Sequence, residues 1–203
     1  MKKLLIAGMA CLFAMAVMAQ EKGWQPTAGL QVGAIVGGSG LGGEAILTAG
    51  VKKDNWLLGI RSGMDGYRFT TVPLMASATY WHGSKKWQPY LQAAAGWNIA
   101  AVSERQKNGY YEFSNPGDGR PGIWWPGTWT PASYRSGWMA EAGAGYALRT
   151  KKGHRWTGGL TYSAKTLDEY TSQITYNGSG YETHPATNHY LMSRVHLRIG
   201  LVW

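Results

Sequence analysis

Apolar and polar residues alternate along most of this chain with a period of two. That period marks strands with one apolar and one polar face. The alternation is clearest at the end, where Val195, Leu197, Ile199, Leu201 and Trp203 are apolar and His196, Arg198 and Gly200 lie between them. The same rhythm predicts seven earlier strands: Thr27–Val36, Glu44–Val51, Trp56–Met64, Val72–Trp81, Tyr90–Ala101, Gly137–Leu148 and one beginning at Trp156. Most are about 8–12 residues long, the length that crosses a bilayer when tilted. The opposite faces carry Gln31, Glu44, Thr48, Arg61, Ser77, Thr79, Gln92, Asn98, Glu141, Thr161, Arg194, His196 and Arg198. Period alone does not say which face is inside.

The connections alternate in length. Three short ones each hold a Lys-Lys pair: Lys52-Lys53-Asp54-Asn55, His82 to Lys86 and Thr150 to His154. Between them lie Gly37–Gly43, Asp65–Thr71, the long stretch Val102–Ser136 and a hairpin whose tip is near Asn177-Gly178. Aromatics follow the same division. Trp24, Trp56, Tyr80 or Trp81, Trp87, Tyr146, Trp156 and Trp203 fall at short-turn ends; Trp97, Trp138, Tyr162 and Tyr190 fall toward the other. Two aromatic belts suit the headgroup layers of a membrane. The expected architecture is all-β: an eight-stranded antiparallel transmembrane up-and-down barrel, with lipid outside, polar side chains inside and both termini periplasmic.

The N-terminus supports export. Lys2 and Lys3 precede an apolar run from Leu4 to Met18, and Val17-Met18-Ala19 offers a cleavage site. Residues 1–19 are read as a signal peptide and 20–203 as one barrel domain. Cys11, the single cysteine, lies in that signal, so the mature chain has no disulfide or thiolate. Composition agrees: Gly 29, Trp 11 and Tyr 12 against Phe 3 suit tight turns and interfacial rings. The formal charge of +9 is spread over turns and strand interiors, so no nucleic-acid partner is expected.

Val72-Pro73-Leu74, Gln88-Pro89-Tyr90-Leu91 and Gly143-Ala144-Gly145-Tyr146 carry a resemblance. The chain resembles small eight-stranded outer-membrane barrels of the OmpA/OmpX type, and in detail the outer-membrane β-barrel domain proteins common in Bacteroidetes. The resemblance implies a bacterial outer-membrane location in contact with lipid and lipopolysaccharide. It also implies that Ile199, Leu201 and Trp203 form a C-terminal signal read by the barrel-assembly machinery. OmpX-like barrels carry a protruding sheet with an exposed edge. The arms flanking Asn177-Gly178-Ser179-Gly180 exceed one membrane crossing and are expected to project in this way.

An eight-stranded barrel has room only for its own side chains. Glu44, Arg61, Glu141, Arg194, His196 and Arg198 are therefore expected to plug the lumen, with Glu141 paired to Arg198 or Arg61 and Glu44 to Arg194. In the long loop, Trp124, Trp125 and Trp129 are candidates for recognising an extracellular protein or glycan. The role expected is structural or surface-interacting, for a monomer without cofactor or metal. The competing readings are a lipid A-modifying enzyme and a small gated channel. Against catalysis, His82-Gly83-Ser84 lies at the short-turn end, and His189 and Ser193 are too far apart on one strand to hydrogen bond.

Overall fold

The computed structural model describes residues 23–38, 40–101, 133–176 and 181–203. The expected signal peptide, Trp124, Trp125, Trp129 and the tip of the last hairpin lie outside them. Eight strands appear in order: β1 (Gln25–Gly37), β2 (Gly40–Lys53), β3 (Trp56–Asp65), β4 (Thr71–Trp81), β5 (Trp87–Ala100), β6 (Ser133–Arg149), β7 (Arg155–Tyr176) and β8 (Tyr181–Val202). Each pairs antiparallel with the next, and β1 with β8, so the sheet closes into a barrel.

Alternation sets the two faces. Leu47, Leu58, Leu91, Leu160, Leu197 and Ile199 are exposed on the outer wall. Gln31, Glu44, Arg61, Gln92, Asn98, Glu141, Thr161, Arg194, His196 and Arg198 are buried within. Water would not leave so many aliphatic side chains exposed on a folded protein. A hydrocarbon solvent reverses the usual cost. The rings at Trp56, Trp87, Trp156 and Trp203 ring the short-turn end, and Trp97 and Trp138 the other; all six are exposed. Of the alternatives Tyr80 and Trp81, the outer belt takes Tyr80 and the lumen takes Trp81. Trp81 is fully buried beneath the Arg155 guanidinium, 4.2 Å from its ring, while Tyr80 lies beside Trp56.

Two connections are shorter than expected. Gly37–Gly43 is mostly strand, because β1 and β2 stay paired up to Gly37↔Gly40. Asp65 is the last residue of β3 rather than a loop residue. At the short-turn end, Asp54 takes a left-handed conformation (φ 52°), so two residues reverse the chain from Lys53 to Trp56. The sheet is uneven in height. β7 and β8 remain paired to Tyr176↔Tyr181, whereas among the described residues β1 pairs with β8 up to Gly37↔Arg194 and β6 with β7 up to Ser133↔Tyr170.

Candidate functional site

The lumen is the first candidate site, and it is built in three storeys. At mid-height Arg198 binds two carboxylates. Its Nε and Nη2 donate to Glu44 at 2.5 and 2.9 Å, and its Nη1 and Nη2 donate to Glu141 at 2.9 and 2.8 Å. Arg61 donates to Glu141 as well, and to Gln31 Oε1 at 2.5 Å. All four charges are at least nine-tenths buried. In a low-dielectric interior such groups need partners on every side.

Register explains the pairing. Gly33 of β1 lies opposite Glu44 on β2 and opposite Arg198 on β8. A Cβ at Gly33 would come within 3.0 Å of both Arg198 Cγ and Glu44 Oε1. Glycine therefore leaves the gap through which the two side chains meet. The expected Glu44–Arg194 pair does not form. Arg194 lies four residues higher, opposite Gly37, and pairs with Asp65 instead.

The upper storey centres on Asp65. Its carboxylate accepts from Lys165 Nζ at 3.1 Å, from Arg194, and from the Tyr67 backbone N–H at 3.1 Å. Lys165 also donates to Thr71 Oγ1 at 2.9 Å. Sequence reasoning named Arg194 but missed Asp65 and Lys165. Lys165 continues the inward parity of Thr161 and Ser163, a signal that was available once β7 was extended. Above them Ile35, Tyr67, Leu167 and Met192 form an apolar lid. Gly37 makes room for it, since a Cβ there would lie 2.4 Å from Tyr67 Oη. The lower storey holds Leu57, Trp81, Tyr90 and Ala147. Arg155 reaches across it to Gln88 Oε1 at 3.1 Å. Between the middle and lower storeys lies a cavity of about 20 Å³, room for one water. Arg61, Trp81 and Thr157 line it, and Arg61 Nε, Trp81 Nε1 and Thr157 Oγ1 have no protein partner among the described residues.

One arrangement has the form of a hydrolase relay. Ser163 Oγ lies 2.6 Å from His196 Nε2, and His196 Nδ1 lies 2.9 Å from Glu44 Oε1. Arg194 Nη2 and Nε donate to Ser163 Oγ at 3.0 and 3.2 Å, so the hydroxyl hydrogen points to Nε2 and Nδ1–H points to Glu44. Ser163 and His196 are fully buried and do not line the cavity. A nucleophile needs a place for the reacting carbon about 3 Å away, and this hydroxyl has none.

The second candidate site is the projecting part of β7 and β8. On its inner side Glu169 accepts from Tyr134 Oη at 2.8 Å, Tyr190 Oη at 2.7 Å and Asn188 Nδ2 at 3.2 Å. Phe69 packs between Tyr134 and Tyr190, with ring centroids 5.3 and 5.4 Å away, and Arg68 lies 4.5 Å over Tyr190. Burial pushes the Glu169 carboxyl up, but these hydrogen bonds and the nearby Arg68 charge outweigh it and hold it below the usual carboxylate range. Burial and the bond to Glu169 push the Tyr134 and Tyr190 phenols up. On the outer side His189 Nδ1 meets Asp168 Oδ1 at 2.8 Å, and His189 makes no contact with Ser193.

The strand edge above Arg194 has a definite polarity. Ala28 and Trp203 exchange backbone hydrogen bonds at 3.2 and 2.9 Å. Odd-numbered residues of β8 therefore face β1, and even-numbered ones face β7. The β7–β8 register runs unbroken, so this holds to the top. From Ser193 upward no strand covers the odd-numbered N–H and C=O groups among the described residues. Pro185 sits on that uncovered side, where its missing N–H costs the ladder nothing.

A closed antiparallel sheet, aliphatic outside, charged inside and belted by aromatics, defines an integral membrane β-barrel of the outer-membrane type. No family model and no curated protein matches the chain. Among solved structures it is similar to Neisserial surface protein A, with 13% identity over 89% of this chain and 96% of that one and a TM-score of 0.53. It also aligns with the outer membrane protein OprG from Pseudomonas aeruginosa (11% identity, 89% and 96% coverage, TM-score 0.48). A further alignment is with the N-terminal β-barrel domain of Pseudomonas aeruginosa OprF (11%, 89% and 99%, 0.46). The chain has the fold of the small OmpA/OmpX-like barrels.

Proposed function

We propose that this protein is a monomeric barrel of the bacterial outer membrane whose lumen is closed and whose work is done at the cell surface. The observation that carries the surface role is the uncovered edge of β8. Strand addition there would supply main-chain hydrogen bonds from Ser193, Leu191, His189 and Thr187, and Pro185 would limit its length. Trp124, Trp125 and Trp129 precede β6 in the sequence and are proposed as a second contact for a protein or glycan. Closure of the lumen is supported by the paired charges, the Tyr67 lid and the Trp81 floor.

The test is cross-linking on intact cells. A photoreactive residue at Leu191, which is 67% exposed, is expected to trap a discrete partner, and Thr187→Pro with His189→Pro to abolish the adduct while the barrel still folds. An adduct that survives both prolines would remove strand addition. A further arm replaces Trp124, Trp125 and Trp129 with Ala; an unchanged set of adducts would retire the loop contact. Planar-bilayer conductance above background would remove the closed lumen and favour the channel.

A further inference from the structure

The cations at the short-turn end have no place in the surface role. Lys53, Lys85, Lys86, Arg149, Lys151 and Lys152 are all exposed there. Against them, among the described residues, stands one acidic side chain, Asp54. All three short turns contribute, so the charges surround the barrel mouth rather than cluster on one strand.

Their height is fixed by the aromatic belt. Lys53 pairs across the turn with Trp56, and its Nζ lies 5.7 Å from the Trp24 ring. Lys86 immediately precedes Trp87, and Lys151 and Lys152 lie within five residues of Trp156. Rings of this kind settle at the headgroup level, and a lysine stem carries its ammonium a little further toward water. The ammoniums therefore stand in the layer of the lipid phosphates. A protein or polymer deeper in the periplasm would be met by charges on longer extensions than two- to five-residue turns. Short turns face the periplasm in this architecture.

We propose that this collar binds anionic phospholipid headgroups of the periplasmic leaflet, gathering them around the barrel and fixing its depth. The inference rests on the membrane placement above but not on surface recognition, which involves the other end of the molecule. Each basic residue beside an anionic bilayer contributes about a five-fold preference when fully engaged. Shared among several lipids, the collar should enrich them about three- to five-fold over zwitterionic ones.

The experiment uses the folded barrel in vesicles of phosphatidylcholine with about 30% phosphatidylglycerol, an anionic surface that attracts basic residues. Spin-labelled lipid of each type reports the barrel's first lipid shell. Wild type should prefer phosphatidylglycerol, and the preference should fall toward one in about 0.5 M salt, where the Debye length is only a few ångströms. K53Q/K85Q/K86Q/K151Q/K152Q should lose it, and the matching five Lys→Arg changes should keep it. Heat-modified gel mobility shows that each variant is folded. No preference in wild type, or one untouched by the glutamines, would overturn the proposal. Orientation is tested by S84C, which should react with a membrane-impermeant maleimide only after the outer membrane is opened. Labelling of intact cells would move the collar to the outer leaflet and overturn it. Lysine-dependent cosedimentation with peptidoglycan, without lipid preference, would overturn it in favour of a polymer partner.

Discussion

The two halves of β8 are one continuous strand in two different settings. From Arg194 to Val202 it is held on both sides, by β1 and β7, and its inward side chains His196 and Arg198 enter a network with no exposed charge. From Tyr181 to Ser193 it is held, among the described residues, on one side, by β7. Both halves alternate in sequence. What differs is whether a neighbour reaches the same height, and that decides which half is fixed architecture and which is offered to a partner. The lower half should be costly to alter at almost any inward position. The upper half should divide sharply into odd and even positions.

The largest effect is expected at Arg198. Arg198→Met removes the bridge between Glu44 and Glu141 and leaves Glu44 with His196 and Glu141 with Arg61. Breaking a buried pair by removing one partner costs about 3–5 kcal/mol. Urea unfolding of the reconstituted barrel should show it, and the double variant with Glu44→Gln should recover part. A loss below about 1 kcal/mol would mean that the strand ladder alone holds the lower half.

Gly33→Ala should come next. Its Cβ would lie 2.7 Å from Leu197 O and press on the Glu44–Arg198 contact. Overpacking of this kind costs about 1–3 kcal/mol. Because the methyl acts on that contact, its cost should shrink in an Arg198→Met background, and equal costs in the two backgrounds would show that Gly33 serves the backbone rather than the pair.

The upper half offers a smaller but sharper contrast. Asn188→Pro removes an N–H directed at β7, opposite Glu169, and should cost about 1–3 kcal/mol of local stability. Thr187→Pro, one residue away, removes an N–H that no strand among the described residues accepts and should stay within about 0.5 kcal/mol. Hydrogen exchange of the β7 amides reports both. Asn188→Ala separates the backbone loss from that of the Asn188 side-chain bond to Glu169. Equal effects at 187 and 188 would show that the edge is covered after all.

The strands were legible because two environments, lipid and lumen, impose a strict period of two on each of them. Glu44, Arg61, Glu141, Arg194, His196 and Arg198 all followed from parity as inward residues. Their partners did not. Which acid meets which base depends on the shift between β1 and its two neighbours, and that shift is set by turns whose length was misjudged. Counting Gly37–Gly43 as loop hid how far β1 and β2 stay paired. Counting Asp65 as loop removed the carboxylate that Arg194 and Lys165 share. Trp81 was ambiguous beside Tyr80 because adjacent aromatics satisfy either parity; the Arg155 guanidinium over its ring identifies the inner one. The edge polarity of β8 could not be read at all, since it follows from one backbone pair, Ala28 with Trp203.

The smallest effect tests how the projecting half is braced where β1 no longer reaches. Phe69, Tyr134 and Tyr190 converge on Glu169, so this cluster ties the β3–β4 connection to three strands above the Trp97 and Trp138 belt. The Glu169 carboxyl is held below its usual range when folded. A group so shifted stabilises the folded form above its unfolded value, near 4.3, and that contribution disappears as the pH falls through the folded value. Acidification into that range should lower the protection factors of the upper β8 amides, taken against the intrinsic exchange rate at each pH, while the lower ones, fixed by β1 and β7, stay protected. Glu169→Gln should give the lower protection at neutral pH and remove its acid dependence. If the upper amides respond to acid equally in wild type and Glu169→Gln, the brace is the aromatic packing of Phe69 and not the carboxylate.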